Sequence, residues 1–138
     1  DGYVGGFTDA DIADLLASLE SNYLGWSSAI APVIMGNDDR PELAGELNDS
    51  FCRSDPRIAA DFARVTFLSD NRDDLPLVPV PTLVLQSSQD AIAPEAVGRF
   101  VRDKLPDGRL VVLESTGHCP HLSAPAATVD AINSFLRE

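Results

Sequence analysis

With 138 residues the chain is long enough for one domain with a genuine core, and its 22 acidic residues against 10 basic ones give a net charge of −12 at neutral pH. A surface of that sign repels phosphate backbones and anionic lipid, which argues against nucleic-acid and membrane-surface roles. No apolar stretch approaches the roughly 20 residues needed to cross a bilayer, and two cysteines, Cys52 and Cys119, are too few for a disulfide framework and fit a reducing, cytoplasmic setting.

Asp1 to Phe7, with three glycines and two aromatics, reads as an irregular lead-in. There is neither an initiator Met nor a signal-peptide pattern, so Asp1 is read as a boundary rather than a natural start. Thr8 suits an N-cap, with Asp9 and Asp11 in the first turn where the helix dipole favours negative charge. Ile12, Leu15, Leu16, Leu19 and Tyr23 then fall on one helical face. Gly25 is expected to break this helix, and Trp26 to Met35 to form a second, which Pro32 should kink or shorten. Gly36-Asn37-Asp38-Asp39 reads as a turn. Pro41 opens a third helix carrying Leu43, Leu47 and Phe51, and Asp55-Pro56 opens a fourth carrying Ile58, Ala59, Phe62, Ala63, Val65, Thr66 and Phe67, ended by Ser69-Asp70-Asn71. Helices this short expose more apolar width than they can bury among themselves, so they should pack on something else.

Pro76, Pro79 and Pro81 mark a linker, after which the character of the chain changes. Strand Thr82 to Gln86 leads to helix Pro94 to Leu105, with Val97, Phe100, Val101 and Leu105 inward. Strand Arg109 to Glu114 leads to a last helix carrying Val129, Ile132, Phe135 and Leu136. The order is a βαβα unit with two parallel strands and a right-handed crossover. Fold class is therefore α/β.

Asp90 and His118 both follow the carboxyl ends of strands, where open α/β sheets place their sites. An Asp and then a His, 28 positions apart, is the last two-thirds of the Ser…Asp…His order of α/β-hydrolases. In that triad the His takes the nucleophile's proton, and the carboxylate holds the imidazole in the right tautomer and stabilises it once charged. Taken singly, an Asp after a strand is a turn residue and a Gly-His pair is a weak signal; their shared position favours catalysis. His121 is the rival base, expected instead to cap or pack where the last helix begins. His118, Cys119 and His121 lack a second pair of ligands, so no metal and no cofactor are expected. Cys119, adjacent to the His, should point away from the reacting atoms. No Gly-x-Ser-x-Gly elbow occurs. Gly25-Trp26-Ser27-Ser28-Ala29 is the nearest look-alike and reads as a helix start, while Ser87, Ser88, Ser115 and Ser123 lack the strand-to-helix context. Trp26, Ile30, Leu47 and Phe67 are either helix-helix core or the roof of an apolar pocket above the His.

Several blocks resemble the carboxyl-terminal part of the RsbQ-like α/β-hydrolases, the family of a bacterial stress-response regulator and of the plant karrikin and strigolactone receptors. They are Asn22-Tyr23-Leu24-Gly25-Trp26, Ala31-Pro32-Val33, Asp38-Asp39-Arg40-Pro41-Glu42-Leu43, Phe51-Cys52-Arg53-Ser54-Asp55-Pro56, Phe67-Leu68-Ser69-Asp70-Asn71-Arg72, Asp90-Ala91-Ile92-Ala93-Pro94 and Gly117-His118-Cys119-Pro120-His121-Leu122-Ser123-Ala124-Pro125. The resemblance implies a partial α/β-hydrolase fold: a four-helix cap over residues 1–75, then the last two strands and helices of the core over 76–138, without the amino-terminal half of the core sheet. It implies that Asp90 and His118 are the triad acid and base, that Trp26, Ile30, Leu47 and Phe67 line an apolar cavity, with Thr66 a weaker member, and that the nucleophilic Ser belongs to the missing half. The expected activity is hydrolysis of a small apolar ester-like substrate. Two other roles stay open: a regulator of the general stress response that binds a hydrophobic ligand and a PAS-domain phosphatase, and an inactive piece that serves only in assembly. The strand edge and the underside of the cap imply a companion chain or an oligomer partner that supplies the missing half.

Overall fold

The computed structural model describes residues 2–137. Four helices come first: α1 Asp9–Ser21, α2 Tyr23–Met35, α3 Pro41–Cys52 and α4 Pro56–Leu68. A 3-10 turn at Arg72–Leu77 leads to strand β1 Thr82–Gln89, helix α5 Glu95–Lys104, strand β2 Gly108–Thr116, the single turn α6 Pro120–Ser123 and helix α7 Pro125–Leu136. This is a four-helix layer followed by a βαβα unit, a partial α/β-hydrolase fold.

The helix starts follow capping chemistry. Thr8 accepts from the Asp11 amide while the Asp11 carboxylate accepts from the Thr8 amide, a reciprocal capping box, and the Thr8 hydroxyl, followed by its amide, draws the Asp11 carboxyl below its ordinary range by donating to it. The break between α1 and α2 lies at Asn22, not at the expected Gly25. Asn22 closes α1 through its amide and opens α2 by accepting from the Gly25 amide with its side chain, so Tyr23 begins the second helix and Gly25 sits in its first turn. Pro32 does not end α2. The helix runs on to Met35 and stops at Gly36, whose φ of +57° is the left-handed terminator that glycine adopts without strain.

Leu16, Leu19, Tyr23 and Ala63 form a buried cluster against which Ile12, Trp26, Phe51, Ala59, Ala60 and Phe67 pack. This is the core of the helical layer. Trp26 lies nearly parallel to the Tyr23 ring, and the Tyr23 hydroxyl donates to the Phe51 carbonyl at 2.8 Å, so α2 and the end of α3 are pinned together.

β1 and β2 pair in parallel, Thr82 opposite Gly108 and Leu85 opposite Val111, with an irregularity between Ser87 and Gln89. Both strands run further than the apolar runs indicate, because Ser87 and Ser115 share a hydroxyl–hydroxyl bond of 3.0 Å and the Ser88 hydroxyl meets the Ser115 backbone, which extends the pairing into polar sequence. Val97, Phe100 and Val101 of α5, and Leu105 that ends it, are buried or half-buried, whereas Val129, Ile132 and Leu136 of α7 are exposed. Two strands less than about 5 Å apart offer too narrow a platform for every apolar position of both helices.

Candidate active site

β1 ends at Gln89 and β2 at Thr116, side by side in the sheet, so the residues just past them share one corner of the molecule. His118 Nδ1 lies 2.8 Å from Asp90 Oδ2. The other carboxylate oxygen of Asp90 accepts from the amides of Ile92 and Ala93 at 2.9 and 3.0 Å, and Gln86, buried beneath, donates to the Ala93 carbonyl at 2.9 Å. Asp90 is therefore held by backbone groups on one side and by the imidazole on the other. Its side chain is 5 % exposed while that of His118 is 45 % exposed, a buried acid beneath an accessible base. An ionised carboxylate only accepts, so in such a pair Nδ1 is the donor, and a neutral imidazole in that tautomer keeps the lone pair of Nε2 free.

The His118 loop is held from the helical layer. Gly117, at φ +92°, donates its amide to the Gln89 carbonyl at 2.7 Å, and the His118 amide donates to the Ile34 carbonyl of α2 at 2.7 Å. Asn37 Nδ2 donates to the carbonyls of Met35 and Thr116, and Arg40 donates to Asn37 Oδ1 and to the Ser123 carbonyl. The last turn of α2 and the turn after it thus grip the loop on both sides of the histidine.

A cavity of about 540 Å³ opens between the helices and this corner, and His118 is part of its wall. Trp26, Ile30, Thr66 and Phe67 line it with Phe7, Phe51 and Ile92. Leu47 does not: it is half-buried on α3, outside the lining. Phe7, Ile34 and Ile92, absent from the sequence-based set, are in the wall; an apolar residue two positions after the Asp is a usable signal for Ile92, while Phe7 and Ile34 carried none. Trp26 Nε1 is buried without a hydrogen-bond partner.

His121 lies exposed on α6 and is not part of the cavity wall. Cys119 is half-buried, and burial, reinforced by the Asp90 charge, pushes its thiol above the ordinary range. Both cysteines are free. Among the described residues no group of three or more His, Cys, Asp or Glu side chains converges as a metal site would require, and no helix is long and apolar enough to cross a membrane.

Residues 3–131 match the alpha/beta hydrolase family. Strigolactone esterase D14 of Arabidopsis thaliana is 36 % identical over 125 residues, 90 % of this chain and 46 % of that protein. Karrikin insensitive 2 receptor CA of Petunia hybrida is 34 % identical over 131 residues, 94 % of this chain and 48 % of that protein. Among solved structures, a hydrolase from Oleispira antarctica superimposes over the whole chain and 51 % of its own length, with a TM-score of 0.92 at 37 % identity. The chain belongs to the alpha/beta hydrolase family, in the RsbQ-like branch that its motifs indicate. It spans about half the length of the curated relatives it matches.

Proposed function

We propose that this chain supplies the acid, the base and the substrate cavity of a serine hydrolase acting on a small, largely apolar ester. The observation that carries this reading is the 2.8 Å contact between Asp90 and His118, made where the imidazole is also part of an apolar cavity wall. Nε2 of His118 takes the proton of a serine hydroxyl as that oxygen attacks the ester carbonyl carbon. Asp90 stabilises the imidazolium that forms. As the bond to the alcohol breaks, His118 returns the proton to the departing oxygen, and water then repeats the sequence on the acyl-serine.

The serine belongs to a complementary segment that docks on the β1–β2 sheet and the underside of the helices. Exposed Val80, Ile58 and Phe62 support such a surface. The segment is an amino-terminal half, as a companion chain or within an oligomer. The test is hydrolysis of p-nitrophenyl acetate with covalent labelling by a fluorophosphonate. Activity and serine labelling in the completed protein, both lost when the complementary segment is withheld, are expected; full turnover by the 138-residue chain with no partner contradicts it.

The karrikin insensitive 2 receptor among the relatives favours a second reading. In it the same cavity binds a hydrophobic ligand, with slow turnover or none, and the helical layer presents a surface to a protein such as a PAS-domain phosphatase in a cytoplasmic stress response. Ligand-dependent capture of that phosphatase without ester turnover selects this reading over the first.

A further inference from the structure

Arg40 occupies a position that local rules disfavour. It is the N-cap residue of α3, yet it makes no capping bond, and a cation at a helix N-terminus faces the positive end of the dipole. Its side chain is committed elsewhere. One nitrogen donates to the Ser123 carbonyl at 2.9 Å and the other to Asn37 Oδ1, which turns the Asn37 amide so that its nitrogen donates to the Thr116 carbonyl at 2.9 Å. Thr116 is two residues before His118, and Ser123 five after it. The Arg40–Asn37 pair therefore ties down both ends of the loop that carries the imidazole, and the His118 amide is tied to Ile34 between them. Where a residue breaks a local preference, a compensating role is the expected reason.

We propose that Arg40, acting through Asn37, is a positioning residue for His118, holding the imidazole in line with Asp90 and locking it to the end of α2. The proposal rests on the reading of His118 as the general base, but its geometry can be tested separately. Without the guanidinium the Ser123 carbonyl loses its donor and Asn37 Oδ1 loses its partner, so the Asn37 amide is oriented only by the Met35 and Thr116 carbonyls and the loop relaxes toward solvent. A shift of about 1 Å in a reacting group costs up to roughly 100-fold in rate.

The experiment has two arms. In the chain completed by its nucleophile-bearing segment, Arg40→Met and Asn37→Ala are assayed with p-nitrophenyl acetate. Expected is a fall in kcat of about 10- to 100-fold with KM within about twofold, and an intermediate loss for Arg40→Lys, which keeps a donor but not the fork. In the 138-residue chain, nuclear magnetic resonance follows the His118 Nδ1 proton, whose downfield signal should weaken in Arg40→Met and Asn37→Ala while the amide pattern of β1 and α5 persists. An unchanged kcat, a rise in KM alone, an undiminished Nδ1 proton signal, or collapse of the whole amide pattern in both variants overturns the proposal. If His118→Ala retains full turnover, the general-base reading fails instead, and the Nδ1 signal still decides whether the pair positions the ring.

Discussion

A β-carbon on Gly117 would stand 1.9 Å from the carbonyl oxygen of Met35, closer than any two such atoms can approach. The glycine before the histidine is thus where the end of α2 rests on the end of β2. Its φ of +92° adds a second reason for glycine, because L side chains rarely adopt that conformation.

Gly117→Ala should therefore destabilise the chain by at least the roughly 1–3 kcal/mol of an enforced left-handed residue, with the contact to α2 adding to it. Urea denaturation measures the loss, and Gly36→Ala, where a β-carbon would meet the Thr116 methyl at 3.2 Å, should cost less.

Asp90→Asn keeps the shape of the acid but offers an amide in place of a carboxylate. If the amide turns its N–H₂ toward Nδ1, the imidazole adopts the other tautomer and Nε2 no longer has a lone pair for the serine proton. Turnover in the completed enzyme should fall about 10⁴-fold, with little change in KM. Heteronuclear shifts of the His118 ring check the tautomer directly.

Ile30→Ala removes part of the cavity wall, and Leu47→Ala does not. For an apolar ester the first should raise KM by a factor corresponding to about 1–2 kcal/mol of lost apolar contact, and the second should leave it within about twofold. Equal effects would mean that the cavity extends along α3 from Phe51 to Leu47.

Cys119 should resist alkylation where exposed Cys52 reacts, since only the thiolate attacks and burial holds the Cys119 thiol protonated above the ordinary range. The unfolded thiol loses its proton at lower pH than the folded one, so the contribution of this group is fully present below the ordinary thiol pKa and is lost as pH rises through the folded value. Mass mapping of iodoacetamide adducts from neutral to alkaline pH reads the order of reaction.

The sequence made the helical layer and the βαβα order legible because both rest on periodicity and on capping residues such as Thr8, Pro41 and Pro56. Asn22 escaped because one side chain serves two helix ends, while Gly25 carried the louder breaker signal. The Asp90–His118 pair was readable because both residues sit at strand ends, where topology alone brings them near. Leu47 looked like cavity and lies outside it, since the rotation of α3 is set by its contact with α2 and not by its own pattern. Nothing local announced Arg40 and Asn37, whose partners lie 83 and 79 positions away. Pairings of that separation are fixed by the fold.

The most direct measurement compares His118→Ala with His121→Ala in the completed enzyme, using p-nitrophenyl acetate hydrolysis. Loss of turnover by several orders of magnitude in the first, with the second unchanged, is the predicted result. Retained turnover in His118→Ala, or an equal loss in both, contradicts the assignment of Asp90 and His118 as the working acid and base.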